Sequence, residues 1–358
     1  MKLFESIQLG KLQLKNHMVM APMTRSRAVE NNTPNELMAT YYGQRAGAGL
    51  IITEGTSPSP NGIGYPRIPA MYNQHHVDGW KLVTKEVHDK GSKIFLQLMH
   101  CGRVAHHLNL PDGAKVLAPS AIIAEGQMFT DAEGMKENDL PEEMTTNEVE
   151  EAITEYVDAA KLAIEAGFDG VEIHGANGYL VEQFLNPNSN YRKDDFGGSI
   201  HTRSKFLLDI VEQTIEAIGA EKVGVRLSPN GAFNDMSAYP EMEETYDYLS
   251  KELNKLGVGY IHLLDHSAMG STPLPQNVLE NIRENYEGTL ILCGNFDKES
   301  AEKALEENTA DLIAFGKTYI ANPDLEERFK ADAKLNQPDM DTFYTPGEKG
   351  YTDYPFMK

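Results

Sequence analysis

The segment Glu165-Ala-Gly-Phe-Asp-Gly-Val-Glu-Ile-His174 decides the fold. Upstream of it, Glu148 to Ala166 carries apolar residues at helical spacing, and Gly167 stands where a helix needs a residue that can leave the right-handed region. Within it, Gly170 to His174 is a short apolar run, the length of a buried strand, and it ends on a polar side chain. The same order recurs downstream. Arg203 to Ile218 precedes Gly219 and Val223 to Ser228, and Met242 to Leu256 precedes Gly257 and Tyr260 to Leu264. Lys298 to Glu306 precedes Asp311 to Phe315. The runs His17 to Ala21, Leu50 to Thr53, Lys93 to Leu98 and Thr289 to Cys293 bring the strands to eight. Alternating strands and helices give a parallel sheet with helices outside, and eight units predict an α/β fold, a (β/α)8 TIM barrel. A doubly wound sheet would carry a glycine-rich turn after its first strand, whereas Ala21-Pro-Met-Thr24 follows here. The whole chain, 1–358, is therefore expected to form a single barrel. The stretch from about 100 to 145 is too long for an ordinary strand-to-helix loop and reads as a cap over the barrel mouth. Residues after Asn322 read as a final helix and an irregular aromatic tail.

Composition narrows the partners. Acidic residues outnumber basic ones 54 to 32, a net charge of −22, which opposes binding to nucleic acid or to an anionic membrane surface. The apolar runs, such as Lys93 to Met99, are strand-sized and too short to span a bilayer. Met1-Lys-Leu-Phe-Glu-Ser-Ile lacks the apolar core of a signal peptide. The two cysteines, Cys101 and Cys293, form neither a disulfide framework nor a zinc pattern. A cytoplasmic protein is expected.

In a barrel the chemistry sits beyond the C-terminal strand ends. The residues there are Thr24 after the first strand and Glu54 and Gly55 after the second. Gln97 and His100 follow at the third, and His174-Gly-Ala-Asn177-Gly-Tyr179 at the fourth. Arg226 lies in the fifth, Cys293-Gly-Asn295 ends the seventh, and Gly316-Lys317 ends the eighth. An arginine inside an apolar strand is costly unless negative charge meets it. Gly294 and Gly316 allow close approach of backbone N–H groups to a phosphate with Lys317 beside them; they also suit plain tight turns. His174 and Asn177, three apart past a strand end, can both donate to one oxygen, and the Tyr179 phenol can supply a proton. The same hexapeptide also suits a capped helix start with a packed histidine and tyrosine. No metal is expected, because the histidines are scattered with no HxxxH spacing; His106-His107 reads as a solvated loop pair. No G-x-S-x-G nucleophile motif occurs.

The chain resembles the Old Yellow Enzyme family of FMN-dependent ene-reductases. The resemblance rests on Ala21-Pro-Met-Thr-Arg-Ser-Arg27, His174-Gly-Ala-Asn-Gly-Tyr-Leu180, Gln183-Phe-Leu185 and Asp195-Phe-Gly-Gly-Ser199. It continues through Arg226-Leu-Ser-Pro-Asn-Gly231, Phe315-Gly-Lys-Thr-Tyr-Ile-Ala-Asn-Pro-Asp324 and Gly350-Tyr-Thr-Asp-Tyr-Pro355. Thr24 places it with the threonine branch, similar to bacterial N-ethylmaleimide reductase-like alkene reductases. The resemblance implies non-covalent FMN, with Pro22, Met23 and Gly55 lining the ring, Thr24 bonded to a flavin carbonyl, and Gln97 at the pyrimidine edge. It implies Arg226 near the flavin N1, Gly294, Asn295, Gly316 and Lys317 at the phosphate, and Phe343 and Tyr344 approaching from the tail. His174 and Asn177 would clamp the activating oxygen of the substrate, with Thr24 and Tyr65 also in the substrate pocket and Tyr179 as the proton donor. The implied reaction passes hydride from NADPH or NADH through FMN to the β-carbon of an activated alkene, an α,β-unsaturated carbonyl or nitro compound. The implied assembly is a monomer or homodimer. Four positions depart from the family pattern. Lys317 replaces a usual arginine, Met99 replaces a frequent tryptophan, and His201-Thr202 stands where Glu-Asn is common. Two other readings make different demands on these residues. A flavin-free phosphate-binding lyase or isomerase would use the same glycines, and a non-catalytic binding protein would tolerate loss of His174, Asn177 and Tyr179.

Overall fold

A computed structural model describes residues 1–358, the side chains of Ala268 and Met269 excepted. Eight parallel strands close into a barrel: β1 (Met18–Met20), β2 (Leu50–Ile52), β3 (Lys93–Leu98), β4 (Gly170–Gly175), β5 (Val223–Leu227), β6 (Tyr260–Leu264), β7 (Thr289–Cys293) and β8 (Leu312–Phe315). They follow one another around the barrel in chain order, and β8 closes onto β1 with Ala314 opposite Val19. The helices form the outer layer. Thr146–Glu165 begins at a capping box in which Thr145 and Glu148 satisfy each other's backbone N–H groups. Ile200–Ile218 begins one turn before the expected start, because Ser199 accepts the Thr202 N–H and fixes the first turn there. Gly257 ends the next helix in the left-handed region at φ 69°, which a residue with a Cβ adopts at a cost.

The barrel is a packed core. Val19, Leu50, Ile52, Phe95, Tyr260, Ile291, Leu312 and Ala314 fill its lower interior. A hairpin absent from the sequence-based expectation, Ile7–Leu9 paired with Leu12–Leu14, plugs the lower end by adding Leu9 and Leu14 to that cluster. Each such leucine contributes roughly 2 kcal/mol of burial.

Between β3 and the next long helix, two small ladders form: Leu117–Ala118 with Glu142–Glu143, and the hairpin Gln127–Thr130 with Gly134–Glu137. In this stretch the solvated histidine pair needs correction. His107 is exposed and donates to Asp139 at 2.8 Å, but His106 is buried, with its Nδ1 accepting the Leu108 N–H at 3.2 Å. The two rings stack at 4.4 Å, so the pair is packed as well as wet. Both cysteines are unpaired and buried. Among the described residues no helix is long and apolar enough to cross a membrane.

Candidate active site

A cavity of about 1000 Å³ opens at the C-terminal ends of the strands. Into its wall the turn after β1 brings Pro22, Met23 and Thr24; Gly55 follows β2, and Gln97 comes from β3. His174 comes from β4, Asn177 and Tyr179 from the loop beyond it, and Arg226 from β5. Gly294 and Asn295 follow β7, Gly316 and Lys317 follow β8, and Tyr65, Phe343 and Tyr344 complete the rim. Two polar strand-end residues do not belong there. Glu54 turns away to accept the backbone N–H of Arg25 at 3.0 Å and of Ser26 at 3.3 Å, and it meets the Tyr42 hydroxyl at 3.3 Å. His100 is buried and accepts the Gly102 N–H, and burial alone lowers its pKa to about 3. Both ends are load points of the loops, since position at a strand end does not fix the direction of a side chain.

The loop after β4 is held from several sides. Asn177 and Gly178 both take positive φ, 62° and 73°. A Cβ on Gly178 would lie 2.7 Å from the Phe233 carbonyl oxygen, so this position accepts only glycine. Glu182 accepts the Gly178 N–H at 2.6 Å and the Ser228 hydroxyl at 3.0 Å, and that same hydroxyl accepts the Asn177 N–H at 3.0 Å. Desolvation raises the Glu182 carboxyl to about 7. The Asn177 side-chain oxygen lies 2.8 Å from His266 Nε2, and its backbone oxygen accepts from Asn234 at 2.8 Å. Tyr179 donates to the Tyr65 hydroxyl at 3.0 Å and stacks edge-on against His174 with ring centres 5.2 Å apart. Burial, reinforced by Tyr65 and Cys101, holds the Tyr179 phenol well above its ordinary pKa, so it keeps its proton. Burial, then Arg226 and His262, hold His174 well below its ordinary value, so its imidazole is neutral.

Arg226 sits opposite His174 in the β4–β5 register and is buried. Among the described residues its Nε has no hydrogen-bond partner, and its Nη2 meets the Cys293 sulfur at 3.7 Å. Among the described residues it makes no ion pair with a carboxylate. His174 Nδ1 is also buried without a partner. Deeper in the barrel, Glu172 and His262 pair at 2.8 Å, and Gln97 donates to the other Glu172 oxygen at 2.8 Å. Burial alone would raise Glu172, but His262 and Arg226 hold it below the usual carboxylate range. Cys293 behaves alike: burial opposes ionisation, yet His262 and Arg226 draw its pKa down.

The opposite corner is open backbone. A Cβ on Gly294 or Gly316 would meet its nearest neighbours only at 3.4 and 3.6 Å, so both positions have room beside them. Lys317 is exposed at the start of the short helix Lys317–Ala321. At Gly55 the reverse holds, since a Cβ would lie 2.4 Å from the Met99 sulfur. The tail is tied to the turn after β1. Arg25 donates to the backbone oxygens of Phe343 and Gly350 at 3.1 and 2.7 Å, and Arg27 donates to that of Thr342 at 2.8 Å. Tyr41 and Tyr351 stack at 4.0 Å beside Arg25. This clamp sets Phe343 and Tyr344 at the cavity rim, and two buried arginines so close together were its signal in the sequence.

The donor set fits a flat, anionic cofactor with a phosphate. A buried guanidinium with an orphaned Nε waits at one edge, and open glycine backbone with a lysine lies at the other.

Residues 2–336 match the NADH:flavin oxidoreductase / NADH oxidase family. The chain is 41% identical over 360 residues to a protein of Leishmania infantum named "Probable flavin mononucleotide-dependent alkene reductase", covering 99% of this chain and 97% of that one. It is 38% identical to 12-oxophytodienoate reductase 7 of Oryza sativa subsp. japonica, covering 99% of this chain and 94% of that one. Among solved structures, morphinone reductase in complex with tetrahydroNAD is 43% identical, with a TM-score of 0.94 over 100% of this chain and 98% of that one. The Old Yellow Enzyme homologue of Zymomonas mobilis is 37% identical, with a TM-score of 0.95 over 100% of both chains.

Proposed function

This chain belongs to the NADH:flavin oxidoreductase / NADH oxidase family, and from that premise we propose that it is an FMN-dependent ene-reductase acting on α,β-unsaturated carbonyl or nitro compounds. The observation that carries the reading is the convergence on one cavity of a buried Arg226 with an unpartnered Nε, a neutral His174 with an unpartnered ring nitrogen, and a protonated Tyr179, among the described residues.

FMN, once bound, would supply two-electron hydride chemistry between NADH or NADPH and the β-carbon of an activated alkene. The residues that would hold it are Pro22, Met23, Thr24, Gly55, Gln97 and Arg226 along the ring, with Gly294, Asn295, Gly316 and Lys317 at the phosphate. Gln97 gives one of its two N–H donors to Glu172, which leaves its second N–H and its amide oxygen for a flavin edge. Arg226 presents positive charge where negative charge must collect, in a desolvated wall where that charge acts strongly. His174 and Asn177 hold the activating oxygen of the substrate and make the β-carbon electrophilic. Tyr179 keeps a proton for the α-carbon, and Tyr65 stands 3.0 Å behind its hydroxyl as the bonded neighbour. Met99 and Phe343 add buried apolar surface to the cavity, and Phe233 and Tyr344 line it at the exposed mouth. The whole chain acts as one FMN-binding barrel, with the Gln127–Glu137 hairpin of the stretch near 100–145 contributing to the mouth.

The test is uptake of FMN by refolded or deflavinated protein. Equimolar FMN with quenched fluorescence supports the reading, and a protein that takes up none refutes it.

A further inference from the structure

His266 opens the turn after β6, where Asp265 accepts the Ser267 N–H at 2.8 Å and fixes the start of the turn. Its ring is buried against Gly231, where a Cβ would lie 2.5 Å from His266 Cε1, and it lies across from Phe233 at 6.5 Å. Its Nε2 meets Asn177 Oδ1 at 2.8 Å, and its Nδ1 is buried without a partner among the described residues. A neutral imidazole has one N–H and one bare nitrogen. With the proton on Nδ1, a buried donor would be left unpaired and a lone pair would face Oδ1. With the proton on Nε2, the donor is used and only a lone pair is left unmatched, which is the cheaper arrangement. Burial, then the charge of Arg226, lower the His266 pKa to about 4 against the opposing pull of Asp265, so a second N–H is not imposed on the Nδ1 site.

Asn177 needs such a partner. Its backbone is pinned by Ser228 and Asn234, so the freedom that remains lies in the side chain, including rotation of the amide about its last bond. A primary amide presents a donor or an acceptor to the cavity according to that rotation. An acceptor facing a carbonyl or nitro oxygen would repel the substrate.

We propose that His266 is a positioning residue for substrate recognition: its Nε2–H holds Asn177 Oδ1 and thereby turns the Asn177 NH2 into the cavity as a hydrogen-bond donor to the activating oxygen. This rests on the ene-reductase reading above. His266 reaches the substrate only through Asn177, so its removal weakens substrate binding without displacing FMN.

The test is a double-mutant cycle on the FMN-loaded enzyme with cyclohex-2-enone, read as the equilibrium dissociation constant from the visible absorbance change and as KM against kcat. Loss of one hydrogen bond of about 1–2 kcal/mol predicts that H266L weakens binding about 5- to 30-fold. H266Q, which keeps a donor, recovers most of that loss. In an Asn177→Ala background, H266L adds less than about a twofold change, because the amide it positions is gone. FMN content measured on every variant shows that each carries a folded site. Additive losses in the cycle, or wild-type affinity in H266L, overturn the positioning role. If the wild-type holoenzyme binds no cyclohexenone, the ene-reductase reading falls and this inference with it.

Discussion

Glu172 and His262, on strands β4 and β6, face each other at 2.8 Å with both side chains at 0% exposure. A buried carboxylate–imidazole pair is unusual in a barrel, whose lower interior here is filled by aliphatic and aromatic side chains. The pair links the flavin-edge candidates Gln97 and Arg226 to one another: Gln97 through its hydrogen bond to Glu172, and Arg226 through the charges of both partners.

Breaking that pair from one side leaves a buried charge alone. H262L is expected to destabilise the protein by about 3–5 kcal/mol, and E172Q added to H262L to recover part of the loss. Chemical denaturation of the four proteins of this cycle checks the prediction. Equal stability of H262L and wild type would show that Glu172 and His262 are not both ionised.

Tyr179→Phe removes the hydroxyl that donates to Tyr65 and leaves the ring packed on His174. Alkene reduction is expected to fall by about 10²-fold or more, the ordinary size of a general-acid contribution, while FMN content is unchanged. Anaerobic single-turnover kinetics measure it.

Glu182 gives a pH signature. Its carboxyl rises from 4.5 in the unfolded chain to about 7 in the folded one through burial. Below pH 4.5 both states hold the proton and the group is neutral to stability. Between 4.5 and 7 the folded state holds a proton that the unfolded state has lost, so this group makes stability fall as pH rises, by on the order of 3 kcal/mol in total. E182Q is expected to remove that decline. Denaturation midpoints of wild type and E182Q at pH 5 and pH 8 should converge at the lower pH and separate at the higher.

Arg25 ties the tail to the turn after β1 through Phe343 and Gly350. R25L leaves the Gly350 carbonyl oxygen without its donor, at about 1–3 kcal/mol, while the Phe343 oxygen keeps Arg27 as its donor. The tail beyond Thr342 is expected to become sensitive to protease, and FMN retention to fall. Limited proteolysis followed by mass determination, together with dialysis against FMN-free buffer, checks both.

The eight barrel strands were legible because each is a short apolar run set between a helix or loop and a polar end, and the glycines at 167, 219 and 257 marked where helices stop. The hairpin Ile7–Leu14 was not, since its strands are three residues long with a polar glutamine in each. The cavity-lining residues could be named from the ends of the strands, but direction could not: Glu54 and His100 occupy equivalent ends and turn into the loops. Glu172 was hidden inside a run that reads as apolar. His266 was silent because its partner Asn177 lies 89 residues earlier, and only the pairing of β4 and β6 on either side of β5 brings their ends to one rim.

The most direct measurement is an anaerobic cycle followed at the flavin absorbance band. The purified protein with FMN bound is reduced by one equivalent of NADH or NADPH and then given cyclohex-2-enone. The account predicts bleaching on reduction and return of the oxidised spectrum with one equivalent of cyclohexanone formed. Bleached protein that stays bleached in the presence of the enone would contradict it.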